Sequence, residues 1–159
     1  MRVLALLIVA STGCVAPAPA PPAAASSAES TDSVAGTLRI VGSAPMNVRL
    51  VIQTPAGTTS VGGPVSEELR RLSGAEVTLA GRREGSTFVA TGYRVRSIDG
   101  RPVTLGIVEG PEGPYMRLRT AEGEIVYLVS APDELRPGQK VWVQGPRGVI
   151  VQSFGTVRP

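Results

Sequence analysis

From residue 35 onward, apolar and polar residues alternate along short runs separated by turn-forming residues, the pattern of strands with one buried face. Leu38 and Ile40, then Val48, Leu50 and Ile52, then Val77 and Leu79, then Tyr93 and Val95 take one parity. Arg39, Arg49, Gln53, Glu76, Arg94 and Arg96 fall between them. Turns are expected at 42–45, 55–57, 62–64 and 82–85, the last joining two strands as a hairpin. One stretch changes period: Ser66 as N-cap, Glu67 and Glu68 in the first turn, Arg70 and Arg71 late, and Gly74 past the end predict a short helix burying Leu69 and Leu72. The later half alternates again over 103–108, 115–120, 124–129, 139–144 and 149–157, with tight turns at 121–123 and 146–148. Residues 131–138 stand where the helix was, and Pro137 limits them to a single turn.

The two halves answer each other in order. Thr37, Leu38, Ile40 and Val41 match Thr104, Leu105, Ile107 and Val108, and the 48–50 triplet matches 116–118. Glu68, Leu69 and Arg70 match Glu134, Leu135 and Arg136, while Gly74, Val77, Leu79 and Gly81 match Gly138, Val141, Val143 and Gly145. Gly92, Val95 and Arg96 match Gly155, Val157 and Arg158. Three strands, a helix or turn, then two strands within about 60 residues resembles the OB-fold, a small five-stranded Greek-key barrel. The expectation is an all-β protein of two tandem OB-like barrels over 35–99 and 102–159, with SH3-like barrels as the alternative and one short helix in the first.

The N-terminus is of another kind. Arg2, the apolar run 3–10 and small residues up to Cys14 have the layout of an export signal, and eight apolar residues are too few to span a bilayer, which takes about 20. Ser11, Thr12, Gly13 and Cys14 resemble the lipobox of bacterial lipoproteins, although Ser11 stands where that family usually carries Leu. The resemblance implies cleavage of a signal peptide over 1–13 and acylation of Cys14, the single cysteine, as the membrane anchor. Val15 is not the Asp that marks inner-membrane retention, which favours the outer membrane, facing the periplasm, in a cell that has one. The linker over 14–34 is rich in Pro, Ala and Ser, and from 15 to 33 it has no large apolar residue after Val15, so a disordered, semi-rigid tether is expected, reaching on the order of 50 Å when extended.

Charge and composition narrow the chemistry. Residues 35–159 carry 14 arginines and Lys140 against 11 acidic residues, a net charge of +4, with no long basic run. There is no His, which removes imidazole bases and the commonest zinc ligand. The paired acids Glu67 with Glu68, and Asp133 with Glu134, suit helix starts. No calcium or phosphate loop is present. The chain therefore reads as a non-enzyme with no metal and no cofactor: a cell-envelope module that binds another envelope protein or the wall, or that supplies structure. The competing reading is a module for an anionic oligosaccharide or nucleic acid. Its site would use Tyr115, Arg117 and Arg119 on one strand face and Trp142 beside Lys140, an aromatic and cationic set of the type that stacks on sugars or bases. Packing of Trp142 and Tyr127 between the two barrels is the structural alternative.

Overall fold

The computed structural model describes residues 31–43, 47–146 and 150–159. They form eleven strands and one helix. β1 (Asp32–Val41), β2 (Arg49–Thr54), β3 (Gly57–Gly62), α1 (Ser66–Arg70), β4 (Ala75–Glu84), β5 (Thr87–Ile98) and β6 (Arg101–Pro102) come first. β7 (Thr104–Glu112), β8 (Tyr115–Thr120), β9 (Ile125–Leu128), β10 (Lys140–Gln144) and β11 (Ser153–Arg158) follow. The first set makes a six-stranded sheet in the order β3-β2-β1-β4-β5-β6, with an added parallel pairing of β3 and β5 over three residue pairs. The second makes a five-stranded sheet in the order β11-β10-β7-β8-β9.

The expected pair of five-stranded barrels, OB-like or SH3-like, is thereby overturned: the chain forms two sheets of six and five strands. Two local causes account for the difference. Residues 98–102, expected to be a plain linker, form a hairpin in which Ile98 pairs with Arg101, and this adds β6 to the first sheet. Its turn is Asp99 and Gly100, both at positive φ (50° and 72°), the left-handed pair that tight hairpins require. In the second sheet β9 and β11 remain opposite ends of the order, and past Leu128 the chain meets residues 150–151 through one isolated parallel bridge, Val129 to Ile150. Two further details depart from expectation. Strand β1 starts at Asp32, so the last residues assigned to the tether pair with β4, Val34 lying opposite Leu79. The helix has Val65 as its N-cap, and no side chain caps it, so Ser66 does not serve there.

The halves share their order of pairing, since β9-β8-β7-β10-β11 follows the same sequence of neighbours as β3-β2-β1-β4-β5. The register, however, differs from the sequence matching. Gly74 donates its N–H to the Leu38 carbonyl at 2.9 Å and Gly138 to the Val108 carbonyl at 2.8 Å, so Leu38 corresponds to Val108 and not to Leu105. Gly36 opposite Val77 and Gly106 opposite Val141 then occupy one position. A Cβ at Gly36 would lie 2.3 Å from the Gln53 carbonyl oxygen, and one at Gly106 would lie 2.6 Å from that of Arg119. Such close backbone approach admits no larger residue without a shift. Bulges also coincide, between Glu76 and Val77 in β4 and between Lys140 and Val141 in β10.

Leu38, Ile52, Leu69, Leu72, Val77, Leu79 and Phe88 fill the first core, and Val108, Leu118, Leu128, Leu135, Val141 and Val143 the second. The first core reaches across the chain. Val157 of β11 is buried in it, and Val103, Leu105 and Trp142 pack against it. The halves therefore share apolar surface, and burying it is the main force joining them. Polar contacts set their relation. The buried Gln144 donates through Nε2 to the Ile98 carbonyl at 2.9 Å and accepts from the Ser153 hydroxyl at 2.6 Å, so its amide is satisfied where an unpaired one would be costly.

Candidate functional site

The residues expected to bind a ligand lie on β8 and β10, and alternation does put them on one face of the second sheet. Arg117 stands opposite Tyr127 of β9, Arg119 opposite Ile107 of β7, and Trp142 opposite Leu105 of β7. That face is divided. At the β10 and β11 end it is covered by the first half, and at the β8 and β9 end it is open, with Ile107, Tyr115 and Tyr127 each about two-fifths exposed.

Trp142 belongs to the covered part. Its ring lies flat over Gly155, where a Cβ would come within 2.6 Å of the indole nitrogen, and it packs against the first core. The indole is thus a spacer between the halves, held apart from Tyr115, Arg117 and Arg119. Tyr127, by contrast, does not pack between the halves: it meets Tyr115 edge to face, with ring centroids 6.2 Å apart and planes at 73°. The two rings, with Glu112, Gly113, Pro114 and Val129, line a shallow and mostly apolar groove.

Between the aromatic pair and Ile107 lies a carboxylate that strand parity alone does not reveal. Glu109 is the extra residue of a bulge in β7, where the register passes from Val108 opposite Leu118 to Gly110 opposite Arg117. Its Oε2 is 2.7 Å from Arg117 Nη2, and its Oε1 accepts a hydrogen bond from Arg119 Nε. Glu112 adds a contact at 3.3 Å to Arg117 Nη1. Both arginines therefore have acidic partners within the same face. An array meant to hold a polyanion presents cations to the ligand, whereas this one is close to neutral and internally ordered.

A second polar cluster lies where the halves meet. Glu68 Oε2 accepts from the Tyr93 hydroxyl at 2.5 Å and from Lys140 Nζ at 2.6 Å, with Arg158 Nη1 3.8 Å from the other oxygen. Lys140 Nζ also stands 4.5 Å above the Tyr93 ring. Burial by itself would raise the Glu68 pKa, but the hydrogen bonds from Lys140 and Tyr93, together with the charges of Lys140 and Arg158, hold the carboxyl below its ordinary range. Burial, then the hydrogen bond to Glu68 and its negative charge, raise the Tyr93 hydroxyl far above the usual phenol range. Every group in the cluster is engaged by another. Next to it, a cavity of about 310 Å³ is lined by Tyr93, Arg94, Val103, Leu105 and Glu122, and Arg94 and Glu122 form an ion pair across it at 3.0 Å.

Among the described residues no three or more of His, Cys, Asp and Glu converge as a metal site. Cys14, the expected lipid attachment point, and the signal and most of the tether lie outside the described residues. No protein-family model matches the chain, and no curated protein is similar to it in sequence.

Proposed function

We propose that the chain is an exported, lipid-anchored and non-catalytic module of the cell envelope, which presents the open face of its second sheet to another protein. The observation that carries the docking part is the self-neutralised set of Glu109, Glu112, Arg117 and Arg119, with exposed Ile107, Tyr115 and Tyr127 on the same face. Aromatic residues and arginine are the types enriched at protein interfaces, and ordered side chains lose little entropy when a partner covers them. The polyanion reading loses ground for the same reason, and because Trp142 is turned into the junction between the halves. The anchor rests on the sequence from Arg2 to Cys14, with more than one acyl chain needed for stable attachment.

The two parts are tested separately. Intact mass of the mature chain should show an acylated N-terminal Cys14, and Cys14→Ala should move the protein to the soluble envelope fraction. A mature chain beginning at an unmodified residue other than Cys14 would end the anchor reading. For the docking face, an envelope protein retained by the wild type should be lost on replacing Tyr115 and Tyr127 with Ala. Salt-sensitive retention of an acidic oligosaccharide or single-stranded DNA, abolished by replacing Arg117, Arg119 and Trp142 with Ala, would replace this reading with the polyanion one.

A further inference from the structure

The hairpin at Asp99 and Gly100 stops after two pairs. Ile98 meets Arg101 and Ser97 meets Pro102, and among the described residues the ladder between β5 and the chain entering β7 goes no further. A bulge stops it. On β4 the register passes from Glu76 opposite Ser97 to Val77 opposite Val95, so Arg96 is an extra residue on β5. Backbone groups alternate in direction along a strand. Past the bulge it is Tyr93 and Val95 that turn their N–H and C=O away from β4, and in the register of the hairpin they come opposite Gly106 and Thr104. Those two have partners elsewhere. Val108 donates its N–H to the Gln139 carbonyl at 2.9 Å, so Gly106 and Thr104, on the same alternation, face β10 opposite Val141 and Val143. Being out of phase, the two strands part.

The cavity of about 310 Å³ beside the Glu68 cluster is the space between them, walled by residues 93–95, 103–105 and the turn at 120–122. Tyr93, Val103 and Leu105 are packed against the first core, which gives the cleft an apolar side. Arg94 and Glu122 neutralise each other across it at 3.0 Å, and both are mostly exposed, so the pair is weak and easily parted. We infer that this cleft takes an extended, uncharged peptide segment of a partner protein, added as a strand along Tyr93 to Val95 of β5. Unpaired strand edges are templates for another chain, and in added strands the main-chain hydrogen bonds supply the affinity while pockets receive alternate side chains. The volume lies at the low end of ligand pockets, about 300–1,000 Å³, and suits a short stretch of backbone. A charged segment gains nothing from walls whose one cation and one anion already pair. The cleft lies at the Thr120 end of β8 and the aromatic pair of the docking face at the Tyr115 end, so either reading can fail without the other.

The test uses the full chain with Cys14→Ser and, as probe, a capped seven-residue peptide of alternating Thr and Val. Amide hydrogen exchange of the free chain should be fast at Tyr93 and Val95 and slow at Arg94, whose N–H faces β4. Saturating peptide should slow Tyr93 and Val95 about tenfold or more and leave Arg94 unchanged. The same peptide N-methylated at alternate residues, in either phase, should not bind, because its main-chain donors are gone. Ala121→Trp, at an exposed turn position on the wall of the cleft, should weaken binding about tenfold or more with the fold intact by circular dichroism. Slow exchange at Tyr93 and Val95 in the free chain would mean that the edge is already covered, and would overturn the inference. So would the absence of slowing with millimolar peptide, binding that survives N-methylation in both phases, or binding indifferent to Ala121→Trp.

Discussion

Glu68 shows how much one side chain can be asked to do. Its position in the sequence, in the first turn of a short helix, suits a carboxylate near a helix N-terminus. The fold instead turns it toward Tyr93, Lys140 and Arg158 on three strands from both halves. Glu68→Gln should lower the unfolding free energy by about 2 kcal/mol, the cost of leaving charged hydrogen-bond partners poorly satisfied, measured as a shift in the urea midpoint. The pH dependence has a defined sign. Because the folded-state pKa is depressed from 4.5, the contribution of Glu68 is fully present above 4.5 and is lost as pH falls through the lower folded value. The difference between wild type and Glu68→Gln should therefore be constant at neutral pH and shrink in acid. A gap that persists unchanged in acid would show that the effect is not electrostatic.

At the level of elements, the alternating pattern located nearly all of the strands, because a half-buried strand writes its period directly into the order of apolar residues. The short helix was legible from its charges and flanking glycine. Register was not. Leu38 and Leu105 look alike in sequence, but the bond from Gly138 to Val108 makes Val108 the counterpart of Leu38. Pairing depends on which backbone groups meet across the sheet, and the difference between Leu105 and Val108 is three residues, an odd slip that exchanges the two faces of β7 and that a short sequence match does not detect. The true markers are Gly36 and Gly106, whose missing side chains allow a neighbouring strand to approach. Gly36→Ala and Gly106→Ala should each cost about 1–3 kcal/mol, seen as lower midpoints in chemical denaturation. Gly85 and Gly113, with open space around them, lack this steric conflict.

For the whole molecule, the shared core is the decisive feature. Val157 is buried among first-half residues, and Trp142, Val103 and Leu105 pack against the same cluster. Unfolding should accordingly be a single cooperative transition, with tryptophan fluorescence and far-ultraviolet circular dichroism giving the same curve. Trp142→Ala removes an aromatic contact between the halves and should cost about 3 kcal/mol, splitting or broadening that transition. Two separate transitions in the wild type would mean that the halves are independent. The candidate site divides along the same line. Tyr115, Arg117 and Arg119 could be placed on one face from parity, but the separation of Trp142 from them follows from the docking of one half on the other.

By itself the sequence determined the strand-rich class, the helix position, the common face of Tyr115, Arg117 and Arg119 and the change of composition at the N-terminus, because these depend on neighbours along the chain. Only the tertiary structure decided the two-sheet arrangement, the register, the neutralising role of Glu109 and the interior place of Trp142. Each of these depends on which residues distant in sequence come within a few ångströms. A bulge at Glu109 or a hairpin at Asp99 is a small local change, but it redirects what every following strand can touch.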